Sequence, residues 1–362
     1  MYKVTVVIPL YNKARYLDSM ICSLLSQTLS SAEFIFVDDG STDGSAEIIE
    51  SYLSSDSRIK LYRQVNSGAG AARNKGIELA QGEYITFFDA DDLFDSNMLS
   101  EMYEAASACR ADICVCSTKV LNDVTGNLSN GVTIPTSLLG LTNRLDRQSF
   151  NRYTSFNVVV WNKLFKLDFI NKNKIRFQTC RSANDVYFAA ASLYAADSIT
   201  ALPYRYVTYR KGITGNLQSK DRDSALDIFV PINELLNMIR KEGSAREIRE
   251  LNDFAIGSIF QQLFTFGNME AIDSLFTASF SSGPYSQNVL SMKSNASAMN
   301  KIRVLLCSNV SSLQFRKAFE RVYVCYKNQV RPTRGILFGS YLRLAFASCK
   351  NIFGRGCNEN GV

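Results

Sequence analysis

The sequence predicts an α/β protein built on a mostly parallel sheet. Three observations carry this. Short β-branched or aromatic runs alternate with segments of helical spacing through the first hundred or so residues, and a polar or charged cluster follows most of those runs. A chain of 362 residues at 46% hydrophobic can also bury a large core. The length allows two domains, or one with an appendage.

Residues 4–9 (VTVVIP) form the first buried strand; the apolar run is too short for a signal peptide and is interrupted by Pro9 and Asn12. KARYLDSMICSLLSQ (13–27) repeats its apolar residues at three-four spacing and is a helix. The same logic gives a strand at 34–37, a helix in GSAEIIESYLSS (44–55), a strand at 59–63 and a helix in GAARNKGIELAQG (70–82). A strand at 84–88, a helix in SNMLSEMYEAASA (96–108) and a strand at 113–116 complete the series. Such units place ligands outside the carboxyl ends of the strands.

Those ends carry the informative residues: Pro9 and Tyr11 after the first strand, DDGSTD (38–43) after the second, NSGAGAARN (66–74) after the third and DADD (89–92) after the fourth. Asp38, Ser41 and Asp43 suit turn and helix caps equally well. Asp38, Asp39, Asp89, Asp91 and Asp92 on one rim would repel each other, and a divalent cation relieves that repulsion. The stretch from Gly68 to Arg73 begins like a dinucleotide fingerprint, but an arginine stands where the third glycine belongs and the stretch follows the third strand, not the first. No G-x-x-x-x-G-K-[ST] loop occurs. An acidic rim with Arg73 at a helix start suits a nucleoside diphosphate held partly by metal.

Composition narrows the chemistry further. The chain has no histidine, which excludes Ser-His-Asp and Cys-His catalysis, H-E-x-x-H metalloproteases and the His/Cys zinc deaminases. Acid-base and metal work falls to carboxylates. Nine scattered cysteines without a C-x-x-C fit neither a disulfide framework nor a thiolate zinc site, and suit a reducing cytoplasm. No apolar stretch approaches the roughly 18 to 20 residues of a membrane span.

VVIPLYNKARYLDSMICSLLSQT, FIFVDDGSTDGSAEII and NSGAGAARNKGIELAQGEYITFFDADD together resemble the nucleotide-sugar-binding half of the family 2 inverting glycosyltransferases of GT-A fold. The resemblance is close to about residue 120 and continues more weakly, through VVWNKLFK, SANDVYF and YRYVTYR, to about residue 215. It implies a mixed, mostly parallel sheet flanked by helices, followed by a mostly helical extension. The implied organisation is a catalytic domain over 1–218, divided into a nucleotide-sugar-binding half (1–120) and an acceptor half (121–218), with a helical region over 219–362.

The resemblance also implies roles. Pro9 and Tyr11 line the base pocket, Asp39 accepts the imide N–H of a uracil, and Arg73 contacts the donor. Asp89 lies near the ribose, and Asp91 carries Mg²⁺ or Mn²⁺ on the diphosphate of a UDP-sugar. Lys163 and Arg210 join the donor contacts, and Asp185 is the base that takes the acceptor proton. The sequence departs from the family at Asn184, where glutamate usually precedes that aspartate. A cap at the start of the next helix is the plain alternative for Asn184. Trp161 suits a packed core as well as a substrate face; Tyr206, Tyr209 and Arg210, expected after a further strand, suit a solvated strand edge as well as a site in which the Tyr–Arg pair reaches the diphosphate.

The expected function is transfer of a sugar to a glycan hydroxyl in bacterial surface-polysaccharide synthesis. A non-catalytic sugar-nucleotide binder, favoured only by Asn184, and a sugar-phosphate nucleotidyltransferase are the alternatives; the latter should carry a Gly-rich basic loop where this chain has PLYNKARY. From Lys301 onward eleven Lys and Arg face two Glu, so the tail carries +9 and the first 300 residues −3. Residues 334–355 can wind as a basic amphipathic helix, either docked on the protein or lying on an anionic inner leaflet beside a lipid-linked acceptor. The tract lacks a nucleic-acid motif. The expected location is the cytoplasm, with peripheral attachment to the inner membrane surface.

Overall fold

The computed structural model describes residues 2–139, 156–213 and 227–244, with isolated positions at 247, 251, 254, 255 and 258. The chain divides into two compact units, residues 1–215 and 216–362. The basic segment 334–355 and the Ser/Gly-rich stretch near residue 280 lie outside the described residues.

The first unit opens with β1 (Val4–Leu10), α1 (Ala14–Leu25), β2 (Ala32–Asp38), α2 (Ser45–Tyr52), β3 (Ile59–Arg63), α3 (Ala69–Leu79) and β4 (Tyr84–Phe87). It continues through β5 (Leu93–Phe94), α4 (Met98–Cys109), β6 (Ile113–Asn122), β7 (Leu128–Asn130) and a 3₁₀ turn at Thr136–Leu138. After residue 156 come β8 (Lys163–Lys166), α5 (Leu167–Lys172), α6 (Asn184–Ala195) and β9 (Ile199–Lys211). The described strands form one sheet in the order β3-β2-β1-β4-β8-β6-β9-β5, with β7 paired on β6. β1, β2, β3 and β4 pair in parallel, β8 runs against both β4 and β6, and β9 is again parallel to β6. The sheet is therefore mixed and mostly parallel.

β1 and β2 are buried on both faces, which is why they read as nearly continuous apolar runs instead of alternating ones. Their polar exceptions are paired: Thr5 Oγ1 donates to Glu33 Oε1 at 2.6 Å, and Lys60 Nζ donates to Glu33 Oε2 at 2.6 Å. Pro9 is tolerated in this central strand for a reason of register. The Val7 carbonyl faces Phe88 N and the Leu10 carbonyl faces Asp39 N, so by alternation Pro9 faces the side on which β4 has already ended. α3 lies close over β1, because a Cβ on Gly76 would stand 2.1 Å from Val7 Cγ1.

Two elements differ from the sequence expectation. The run 84–88 ends as a strand at Phe87, and the chain turns through Asp89 to Asp92 into the two-residue β5, which pairs with β9. Tyr206, Tyr209 and Arg210 lie within the thirteen-residue β9 itself, not after a strand. Trp161 immediately precedes β8, is 9% exposed and stacks on Tyr209 with ring centres 5.4 Å apart and planes 3° from parallel. In the second unit α7 (Phe229–Glu242) buries Ile232, Leu235, Leu236 and Ile239, an i, i+3, i+4, i+7 stripe.

Candidate active site at the strand ends

The loops after β1 and β2 are bolted to each other. Asn12, at φ +52°, accepts from Thr42 N on its side chain and donates from its own N–H to Ser41 Oγ, while Lys13 N donates to Ser45 Oγ at 2.8 Å. Asp43 accepts from Ala14 N and from Ser45 N, so one carboxylate satisfies a terminal donor of both α1 and α2. Asp38 accepts from Ser41 N. For Asp38 and Asp43 the capping use is the one observed. Tyr11 stands on this rim with 48% of its surface exposed, an aromatic face open to a ligand.

Asp39 is buried and organises the β3–α3 loop. Its Oδ1 accepts from Ser67 N and Gln64 Nε2, and its Oδ2 accepts from Gly68 N, all at 2.8 Å. Gly68 adopts φ +90°, a conformation that delivers its N–H to Asp39 and that a side chain would strain. Three hydrogen bonds leave the carboxylate room for one more.

The acidic turn after β4 is met by cations of the chain itself. Arg73, 7% exposed, donates from Nη2 to Asp89 Oδ1 at 2.7 Å. Lys13 Nζ donates to Asp91 Oδ2 at 2.6 Å. Asp92 is fully buried and accepts from Arg210 N, while its Oδ2 has no partner. Burial raises Asp91, with Lys13 opposing, and burial followed by repulsion from Asp89 and Asp91 raises Asp92 well above the usual carboxylate range. Sequence reasoning assigns the relief of this cluster to a metal alone and passes over Lys13. Its signal is present in the chain, since it is the first cation after β1, on the same rim.

A divalent metal is compatible with this donor set. Among the described residues no group of three or more His, Cys, Asp or Glu is arranged around a common point. A metal here would have one or two carboxylates and fill the rest of its shell from phosphate and water, as Mg²⁺ does. Lys13 occupies Asp91 Oδ2 in this structure, so a metal on Asp91 would share the carboxylate with that ammonium or displace it.

The acceptor-side residues come from β8, α6 and β9. Asn184 is the first residue of α6; Ala183 holds the cap position at φ +55° with no side-chain cap, so the capping alternative for Asn184 does not apply. Asn184 Oδ1 instead accepts from Arg73 Nη1 at 2.7 Å, buried. Asp185 follows it. Burial raises its pKa, Arg73 and Lys163 pull it down, and Asp89 pushes it up. The same arginine thus links the acidic turn to the start of α6. Tyr209, stacked on Trp161, feels the charges of Asp92, Asp89, Asp91 and Asp185, which with its burial raise its phenol. Sequence reasoning expects the Tyr209–Arg210 pair at the diphosphate; of the two side chains, Tyr209 is the one that feels the acidic turn.

Two expected donor contacts are otherwise occupied. Lys163 is fully buried, and its ammonium donates to Phe156 O at 3.0 Å, Val159 O at 2.7 Å and Asn162 Oδ1 at 2.9 Å. Burial lowers it to about 7. With all three hydrogens spent on the 156–162 loop, Lys163 has none left to offer a phosphate. The Arg210 guanidinium lies between Asp123 Oδ1 and Ser19 Oγ, both at 3.2 Å, over the Tyr16 ring. Its backbone N–H, not its side chain, touches the acidic turn.

The sequence pattern of glycosyl transferase family 2 matches residues 5–172. A cholesterol galactosyltransferase of Borreliella burgdorferi is 35% identical over 259 residues, covering 69% of this chain and 71% of that one. This chain belongs to glycosyl transferase family 2. The putative glycosyltransferase EpsH of Bacillus subtilis is 29% identical over 252 residues, covering 66% of this chain and 72% of that protein. In three dimensions the chain is similar to S. aureus TarS 1–349, crystallised with UDP-GlcNAc, at a TM-score of 0.56 and 19% identity over 91% of this chain and 93% of that one. The shared fold is GT-A-like, and the family's activity is sugar transfer from a nucleotide-sugar donor. Among the described residues no helix is long and apolar enough to cross a membrane.

Proposed function

We propose that the chain is an inverting transferase that moves a sugar from a UDP-sugar to a hydroxyl of a glycan or lipid-linked glycan. The observation that carries this reading is the Arg73 bridge between Asp89 and Asn184, which ties the candidate base at the next residue to the donor-side turn across more than a hundred residues of sequence. Pro9 and Tyr11 face the base, Asp39 fixes the loop against which it rests, and Asp89 with Arg73 meets the ribose side.

The reaction needs no covalent nucleophile. The acceptor oxygen attacks the anomeric carbon, the bond to the diphosphate breaks, and Asp185 takes the acceptor proton. The raised pKa of Asp185 suits a base that must bind that proton. Mg²⁺ or Mn²⁺ held by Asp91 would supply Lewis-acid stabilisation of the leaving diphosphate. Lys13 and Arg73 are cations placed beside that same negative charge. Lys163 and the Arg210 side chain serve the walls of the site: the first holds the 156–162 loop, the second joins α1 to the β6–β7 hairpin.

The acceptor named for the Borreliella relative, cholesterol, favours a lipid-borne acceptor, and the UDP-GlcNAc crystallised with TarS favours a UDP-sugar donor. The basic tail suits an acceptor held at a membrane surface. The feature that favoured an inactive sugar-nucleotide binder, Asn184, has a buried hydrogen bond to Arg73 and so needs no loss of activity to explain it. Mass spectrometry of UDP-galactose, UDP-glucose and UDP-GlcNAc turnover, with and without Mn²⁺, tests the reading. Metal-dependent UDP release supports it; release of pyrophosphate, or binding without turnover of any donor, contradicts it.

A further inference from the structure

Arg73 is a buried cation of the site. Its Nη2 holds Asp89, its Nη1 holds Asn184, its Nε is buried without a partner, and its guanidinium lies over the Phe177 ring at 5.3 Å. Phe177 in turn stacks on Phe188 of α6, with ring centres 4.0 Å apart and planes 6° from parallel. Asn74, the next residue of α3, exchanges two hydrogen bonds with the Phe177 backbone at 2.9 and 2.8 Å. Gly70, one turn earlier, lets α3 approach so closely that a Cβ there would lie 2.0 Å from Gln178 O and 3.3 Å from Asn184 Cβ. One face of α3 is thereby fitted to the segment that leads into α6.

The first turn of α6 is reached from α3. Ala183, at its cap position, sits in the left-handed region without a glycine's freedom and has no side chain that could cap the helix. The side chain of Asn184 ties that end to Arg73. An amide suits this position, because it accepts a hydrogen bond from the guanidinium and adds no negative charge beside Asp185, where a second carboxylate would repel it.

We infer that Asn184 is a positioning residue for Asp185, acting through Arg73: the clamp fixes the start of α6 relative to the Asp89 turn, so that donor and base are held in register. The inference rests on the proposed role of Asp185 as base. A displacement of about 1 Å at the reacting groups can cost about 100-fold in rate, which sets the scale of the expected effect.

The test uses the full-length protein and UDP release from UDP-galactose, UDP-glucose and UDP-GlcNAc in turn, with water as the acceptor. Asn184→Ala should lower kcat by ~10- to 100-fold and leave the donor KM within ~3-fold, because Tyr11 and Asp39 are untouched and Arg73 keeps its bond to Asp89. Asn184→Asp, which keeps the shape and the acceptor oxygen but sets a second carboxylate beside Asp185, should recover most of the lost kcat only at higher pH, with the kcat–pH profile displaced upward. In an Asp185→Asn background, Asn184→Ala should cost little more, as expected for groups acting as a unit. Should the alanine variant not fold, Asn184→Ser shortens the side chain beyond reach of Nη1 and carries the same comparison. Unchanged kcat in Asn184→Ala with Asp185→Asn inactive overturns the positioning role alone, as do losses that multiply in the double variant or a loss confined to KM. Full activity in Asp185→Asn overturns the base assignment, and the inference with it.

Discussion

The two sides of the strand-end cleft are built by different means. On the donor side, short polar side chains hold backbone N–H groups of neighbouring loops: Asp43 serves two helices, Asp39 an entire loop, and Asn12 and Ser41 lock the first two loops together. On the acceptor side, single buried long side chains hold the segments around them, near in sequence for Lys163 and distant for Arg73. Lys163 gathers the 156–162 loop around one ammonium, and Arg73 joins α3, the acidic turn and α6. The contrast teaches that the donor side is a preformed backbone mould, whereas the acceptor side depends on a few charge-assisted contacts whose loss is not shared out among many.

The comparison breaks most sharply at Asp185. Asp185→Asn should lower the chemical rate by ~10² to 10⁴-fold, read as single-turnover transfer. In the unaltered protein the base must be deprotonated, and its pKa is raised by burial, so activity should fall as pH drops through a value above the ordinary carboxylate range. A kcat profile flat down to about pH 4 would remove Asp185 from that role.

Asp91→Asn should follow, with a loss of at least ~10²-fold in transfer and of the response to added Mn²⁺. It should also release Lys13 from its partner. Undiminished turnover in EDTA would show that the cluster is served by Lys13 and Arg73 alone.

Gly70→Ala sharpens the comparison at smaller scale. The added Cβ cannot fit 2.0 Å from Gln178 O, so α3 must withdraw from the 175–184 segment. A fall of ~10-fold in kcat with donor affinity retained is expected. Equal losses of both would make the two sides one mechanical unit.

Lys163→Met tests the wall of the acceptor side through stability. It removes the Lys163 donor from the Val159 carbonyl and from Asn162 Oδ1, at about 1–3 kcal/mol for a buried group left unsatisfied, and should lower the thermal midpoint. Donor affinity should hold. A weakened donor with an unchanged midpoint would return Lys163 to the donor contacts.

What the sequence reveals follows the same division. The rim residues Tyr11, Asp39, Asp89 and Asp91 lie in short motifs directly after strands, so local pattern and strand-end geometry suffice to find them. The parallel direction of β1 to β4 is legible from the strand–helix alternation, whereas their order in the sheet is not. β5 is only two residues long, and the placing of Tyr209 inside β9 depends on pairing with strands far away in sequence. The occupation of Lys163 is not legible either, because a lysine in a strand pattern says nothing of three oxygen acceptors supplied by the preceding loop. Asn184 is conspicuous as a departure, yet its partner lies 111 residues away.

Donor binding by calorimetry, set beside turnover for Asp39→Ala and Asp185→Asn, tests the central division most directly. Removing Asp39 leaves Ser67 N, Gly68 N and Gln64 without their acceptor and should dissolve the mould, weakening UDP-sugar binding while the chemical step at saturating donor survives. Asp185→Asn should bind the donor within a few-fold of the unaltered protein and fail to turn it over. If both variants lose binding and rate in the same proportion, the separation of donor mould from acceptor clamp is wrong.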